Sequence, residues 1–262
     1  MNLDLTGKTA WVCGSTQGIG KAAAIELALL GANVTLLARN EEKLKEVVVE
    51  LPRKGNQTHG YLAIDFSQTN LIKPTVDKHL AKYPDVHILI NNTGGPASGG
   101  IIEADISQFT EAFQSQVVAA QLLTQAVVPG MKAFGYGRIV NITSVGMKEP
   151  IVGLGVSNTI RAAMGNWGKS MANELGKFGI TVNNVLPGYT TTARLEKINE
   201  TRAKASNKSI DEVEKELIKD IPIGRFTTTE ETGAVIAFLC SPAAASVTGT
   251  SIPVDGGRLS SH

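Results

Sequence analysis

Three glycines at fixed spacing are the first chemistry-bearing feature of this chain. The run Cys13-Gly14-Ser15-Thr16-Gln17-Gly18-Ile19-Gly20 follows a short apolar stretch and leads into KAAAIELALL. Gly14 permits a sharp turn, Gly18 lets backbone approach a diphosphate, and Gly20 lets a helix pack tightly on a strand. Backbone N–H groups around Ser15, Gln17, Gly18 and Ile19 then face an anion at a helix N-terminus, where the helix dipole is positive. Nineteen positions after Gly20 come Arg39 and Asn40. A carboxylate there would hold a ribose 2′-hydroxyl, whereas a guanidinium can grip a 2′-phosphate with two hydrogen bonds. The expected cofactor is therefore NADP(H) before NAD(H), the plainer reading being a solvated Arg39 beside a helix cap. Asp65-Phe66 ends another apolar run, where the carboxylate could accept from an adenine amine or cap its own loop. Asn91-Asn92-Thr93-Gly94-Gly95 offers small residues for close backbone approach to a ligand.

These residues need a scaffold, and the hydropathy pattern supplies one. Apolar runs at 8–13, 33–38, 58–64, 86–90, 138–143, 180–186 and 250–254 are continuous rather than alternating, as in parallel strands covered on both faces. Amphipathic stretches near 18–30, 41–51, 68–82, 105–133, 157–178 and 229–240 separate them. This alternation predicts an α/β, Rossmann-type doubly wound sheet of about seven parallel strands with helices on both faces. Residues 94–100 (GGPASGG) read as a loop. Residues 189–224 are charged and mostly helical, an insertion suited to a lid over a ligand crevice. The expectation is one domain, 1–262, with 189–224 as its lid.

Composition narrows the function classes. The 262 residues carry 25 basic and 24 acidic side chains, a net charge of +1. That balance provides no long-range field for nucleic acid or anionic lipid, so neither is expected as a partner. Cys13 and Cys240 lie in apolar runs and read as buried free thiols. There is no basic region leading an apolar core at the N-terminus, and no run of 18 apolar residues, so a cytoplasmic protein is expected. His59, His79, His87 and His262 read as strand-flank, helix-surface or tail positions, and no metal site is expected.

Together, GSTQGIG, NNTGG, INITS, LPG and the closing IPVDGG resemble the short-chain dehydrogenase/reductase family across essentially the whole chain, nearest in look to its 3-oxoacyl-acyl-carrier-protein reductases. The resemblance implies a seven-stranded Rossmann sheet and a homodimer or homotetramer. It gives cofactor roles to Gly14, Gly18, Ile19, Asp65, Asn92, Gly94, Pro187 and Gly188, with Thr190 or Thr192 on the nicotinamide amide. It also implies a catalytic Asn-Ser-Tyr-Lys set, from which this chain departs. Ser144 is present, but Ser157 and Arg161 stand at the tyrosine and lysine positions and Gln116 at the asparagine position. A serine hydroxyl is a far weaker acid than a phenol, and an arginine does not shuttle protons near neutrality. Two functions follow: an NADP(H)-dependent reductase of a small carbonyl substrate, 3-oxoacyl-thioester-like or another ketone, with an atypical site, or a nucleotide-binding scaffold that has lost the chemistry. Tyr189 and Lys148 are the nearest surrogate acids, each more simply a packing or solvated residue.

Overall fold

The computed structural model describes residues 1–260, so the tail reading of His262 lies outside the described residues. In chain order the elements are β1 (Thr9–Cys13), α1 (Gly18–Leu29), β2 (Asn33–Ala38), α2 (Glu41–Glu50), β3 (Gly60–Ala63), α3 (Thr69–Leu80) and β4 (Ile88–Asn91). They continue with α4 (Ile106–Phe113), α5 (Ala119–Phe134), β5 (Gly137–Ile142), α6 (Gly155–Leu175), β6 (Ile180–Pro187), α7 (Ala193–Ser206), α8 (Ile210–Lys219), α9 (Thr229–Cys240) and β7 (Ser251–Val254). All seven strands form one parallel sheet in the order β3-β2-β1-β4-β5-β6-β7. The order reverses direction between β1 and β4, which opens the crevice where doubly wound sheets bind ligands.

Both faces of the sheet are covered, which is why the strands read as unbroken apolar runs. On one face Ala24, Leu27 and Ala28 of α1, Leu44 of α2 and Ile236 of α9 pack on Val12, Leu36 and Ile90. On the other, Ile72 of α3, Leu123, Val127 and Met131 of α5, and Leu175 of α6 pack on Trp11, Leu89 and Ile139. The helices α1 and α9 approach closely because Gly233 has no side chain; a Cβ there would lie 3.0 Å from the Ala22 carbonyl carbon.

Several elements differ from the sequence expectation for identifiable reasons. The third strand is shorter than 58–64, because the His59 ring takes the Val34 N–H at 3.1 Å in place of a backbone carbonyl. The helix expected over 105–133 is α4 and α5 joined by a π turn, Gln114–Val118, a widened turn often found at functional sites. From Ile106 to Phe134 this composite is long and apolar enough to cross a membrane by length and composition, contrary to the expectation that no segment would be. Its apolar side lies in the core through Ala119, Leu123, Val127 and Met131, as in a buried helix of a globular fold. The 189–224 segment holds α7 and α8, the latter started by a reciprocal cap between Ser209 and Glu212.

Candidate functional site

The glycine loop forms the cradle its spacing implies. Gly14 and Gly18 both adopt φ +57°, a conformation side chains rarely take. A Cβ on Gly14 would sit 2.7 Å from the Asn92 carbonyl oxygen, and one on Gly20 would collide with the Gly14 carbonyl oxygen. Asn92 locks the loop to the end of β4, donating from Nδ2 to the carbonyls of Cys13 and Gly14, each at 3.2 Å. Above this loop α1 begins without a side-chain cap at Gln17, which is exposed. The Ser15 hydroxyl is 0 % exposed and has no hydrogen-bond partner. An uncapped helix N-terminus, an orphaned buried hydroxyl and a floor that tolerates only glycine together fit a diphosphate group. Ile19 is partly buried, its side chain packed against the core.

At the end of β2, Asn40 caps α2 by accepting from Lys43 N at 3.0 Å, and Arg39 is left exposed with no ion pair among the described residues. Asp65 bonds its own turn, accepting from Ser67 N at 3.0 Å and Ser67 Oγ at 2.8 Å. Those bonds hold the Asp65 carboxyl below the usual carboxylate range, and the charge of nearby Arg39 adds to the effect. Phe66 packs against the core face that holds Trp11 and lines a small internal cavity.

Ser144 follows β5 and accepts from Gly146 N at 3.0 Å, so its hydroxyl proton is free for another acceptor. Ser157 and Arg161 are one turn apart on α6, on the same side. Arg161 donates from Nη1 to the Ile142 carbonyl at 2.6 Å and from Nη2 to the Thr93 carbonyl at 3.2 Å. Burial, with the positive charge of Arg194 behind it, pulls its pKa down to about 10, which leaves it cationic near neutrality. Gln116, in the π turn, is 3 % exposed, and neither atom of its amide has a partner. It shares with Asn91, Asn92, Thr93 and Arg161 a cavity of about 10 Å³, room for about one water.

A ladder of asparagines, which the sequence reading passed over, positions this edge. Asn91 Nδ2 donates to Asn141 Oδ1 at 2.9 Å, Asn141 Nδ2 to Asn184 Oδ1 at 2.9 Å, and Asn184 Nδ2 to Ser251 Oγ at 3.2 Å. The chain of bonds thus crosses β4, β5, β6 and β7 at one level. Helix α6 rests on it at Gly168, where a Cβ would lie 2.6 Å from Asn184 Oδ1. The signal was available: asparagine recurs in the otherwise apolar runs ILIN, RIVN and VNN.

The 189–224 segment starts beyond Pro187 and Gly188, the latter pressed against Asp255, whose Cβ would stand 2.7 Å from an added Cβ. Thr190 is buried, its hydroxyl 3.0 Å from that of Thr227. Thr192 faces the cradle, its methyl 3.5 Å from where a Gly18 side chain would begin, and it caps α7. Arg194, also missed by sequence reasoning, reaches from the first turn of α7 to the Pro96 carbonyl at 2.5 Å. Tyr189 packs between Phe226 and the guanidinium of Arg258, and its hydroxyl accepts from Arg202 at 3.4 Å. Lys148 ends the turn after Ser144. Among the described residues no group of three or more His, Cys, Asp or Glu is placed to hold a metal ion. His59, His79 and His87 lie at strand edges and under helices, His87 stacking on Phe134 at 4.5 Å.

Known proteins share this sequence pattern and fold. Residues 14–258 match the family described as enoyl-(acyl carrier protein) reductase. The chain is 30% identical to the 3-oxoacyl-[acyl-carrier-protein] reductase FabG of Pseudomonas aeruginosa, over 99% of this chain and 100% of that one. It is 31% identical to the NADPH-dependent reductase BacG of Bacillus subtilis, over 98% and 100%. The crystal structure of L-sorbose reductase from Gluconobacter frateurii, complexed with NADPH and L-sorbose, superposes with a TM-score of 0.92 at 30% identity, covering 100% of both chains.

Proposed function

The chain belongs to the short-chain dehydrogenase/reductase family, and from that premise we propose that it is an NADP(H)-dependent oxidoreductase reducing a ketone through a site without the family's tyrosine and lysine. The observation that carries the reading is the cradle: the uncapped start of α1 with the orphaned Ser15 hydroxyl, one strand from the unpaired Arg39. The amides of Ser15, Gln17, Gly18 and Ile19 hold the diphosphate, and Arg39 the 2′-phosphate, with NAD(H) the weaker ligand. Asp65 and Phe66 border the adenine, Asn92 and Gly94 the adjoining ribose, and Pro187, Gly188 and Thr192 the nicotinamide end. Thr190 serves by anchoring the lid to Thr227. A bound nicotinamide supplies the hydride.

The protein's own residues then manage the oxygen. Ser144 donates its free hydroxyl proton as a hydrogen bond to the carbonyl oxygen, and the Arg161 cation stabilises the negative charge that grows there. The Ser157 hydroxyl, one turn from Arg161, passes a proton from water to that oxygen. Gln116 fixes a water in the cavity beneath Arg161. The whole chain acts as one domain with residues 189–224 as its lid. The free, buried Cys13 and Cys240 suit a reducing cytoplasm, and exposed Ile102 (89 %) and Val152 (92 %) suit assembly into a homodimer or homotetramer. Neither nucleic acid nor membrane is a partner in this reading.

Calorimetry and a reductase assay test the proposal. NADPH should bind more tightly than NADH, and NADPH absorbance should fall with at least one ketone from a panel that includes oxo acids and 3-oxoacyl thioesters. Failure of either cofactor to bind would end the reading; tight NADPH binding without turnover would favour the scaffold.

A further inference from the structure

Two guanidiniums converge on one point of the crevice with no carboxylate between them. A carbon added to Gly95 would lie 3.4 Å from Arg194 Nη2 and 3.9 Å from Arg161 Nη2. The two side chains come from different elements: Arg161 from the second turn of α6, Arg194 from the first turn of α7. Both donate to backbone carbonyls, Arg161 to those of Ile142 and Thr93 and Arg194 to that of Pro96. Carbonyls orient a guanidinium but leave its charge uncancelled. Among the described residues neither arginine takes part in an ion pair.

Like charges at this range repel, and burial sharpens the repulsion because less water screens it. Both guanidiniums show the cost: burial depresses the pKa of each, and Arg194 further depresses that of Arg161. A crevice that holds two such groups side by side is complete only with an anion between them. The floor is polar and unsatisfied too. Both amide atoms of Gln116 and the Oδ1 of Asn91 are buried without partners in the cavity that Arg161 lines. Gly95 keeps the space clear, since any side chain there would occupy the point of convergence.

The position along the sheet edge selects the anion. The diphosphate has its own cradle at β1, where α1 supplies the amides. The arginines stand instead around Thr93–Pro96, beyond β4, between that cradle and Ser144 at the end of β5. An anion there lies beside the reacting carbonyl. We propose that Arg161 and Arg194 form a carboxylate subsite, so that the substrate is an oxo acid with a free carboxylate rather than a thioester. This deepens the reductase reading above and rests on it. Planar guanidiniums pair with a carboxylate through two parallel N–H···O bonds, and each alternative substrate lacking that charge would leave two cations unpaired.

The test compares acetoacetate with its methyl ester and with its N-acetylcysteamine thioester, which keep the ketone and remove the charge. Binding is read by calorimetry on the NADP⁺-loaded chain, with oxalate and malonate as bare anion probes, and turnover is read with NADPH. The free acids should bind at least about tenfold more tightly than the neutral derivatives. Arg194→Met should abolish that preference while leaving NADPH affinity within about twofold, and Arg194→Lys should restore part of it. Equal binding of acid and ester, or no binding of any acid probe, would overturn the subsite. So would an Arg194→Met chain whose NADPH affinity falls about tenfold, which would give the arginines to the cofactor's diphosphate. A wild-type chain that binds no NADPH would instead sink the reductase reading itself.

Discussion

At the end of β2 the Arg39 guanidinium is exposed, unpaired and close enough to Asp65 to lower its pKa. Nothing in the fold requires it there, since Asn40 already caps α2. Its removal should therefore spare stability and strike only the ligand carrying the extra phosphate. For Arg39→Ala we expect NADPH to bind about thirtyfold more weakly, the worth of about 2 kcal/mol of charge-assisted hydrogen bonding, with NADH unchanged. Calorimetry with both nucleotides decides it, and equal weakening of the two would remove Arg39 from the 2′-phosphate. Ser157 and Arg161 pose the complementary question. Restoring a phenol and an amine with Ser157→Tyr plus Arg161→Lys should raise kcat about a hundredfold, the usual contribution of a positioned general acid. A double variant that binds NADPH normally and gains nothing would show that the reacting centre lies elsewhere. Residue types alone pointed to the cradle and Arg39, because each carries its chemistry in its own backbone freedom or charge, whereas Ser144 came only from the family resemblance. Arg194 stayed hidden because a segment as rich in lysine and arginine as 189–224 shows no sign of which cation will turn inward.

Between the residues and the sheet stands the asparagine ladder, which sets where α6 lies and hence where Ser157 and Arg161 point. Asn141 is its centre, 0 % exposed and bonded on both sides. Asn141→Leu would keep the branching and heavy-atom count of the side chain while leaving Asn91 Nδ2 and Asn184 Oδ1 buried without partners. At about 1–3 kcal/mol for each of the two orphaned groups, the loss should come to about 2–6 kcal/mol. Urea unfolding measures it, and a loss below about 1 kcal/mol would mean that the ladder is dispensable. The seven strands were readable because covered parallel strands are continuous apolar runs. The ladder was not, since Asn91, Asn141 and Asn184 fall on one level only once the strand register is known. The π turn escaped for a similar reason: hydrophobic periodicity over 105–133 averages through one widened turn, yet that turn is what buries Gln116. The third strand was read too long because the His59 side chain, not its backbone, serves Val34.

Across the whole molecule the charges nearly cancel, so stability against acid depends on where individual groups sit rather than on net repulsion. Burial holds His59, His79 and His87 below the ordinary histidine pKa of 6.5, with positive neighbours Arg53, Lys82 and Lys8 adding to it. A depressed pKa means that the unfolded chain takes up protons before the folded one does, so unfolding is favoured as pH falls. Their contribution is whole above pH 6.5 and is lost as the pH drops through their folded values. Carboxylates such as Asp65 and Glu231, held low by hydrogen bonds and by Arg225 respectively, extend the loss to more acid conditions. His79 separates the two effects. Its ring packs against Trp11 and Tyr83, a contact phenylalanine can keep while giving up the proton site. The urea midpoint of the wild-type chain should be flat near neutrality and decline below pH 6.5, each histidine adding at most about 1.4 kcal/mol per pH unit. His79→Phe should match the wild type at pH 8 and decline less steeply through the histidine range. Parallel curves would mean that this ring takes up its proton as readily in the folded chain as in the unfolded one, and that the acid response belongs to the other histidines and the carboxylates.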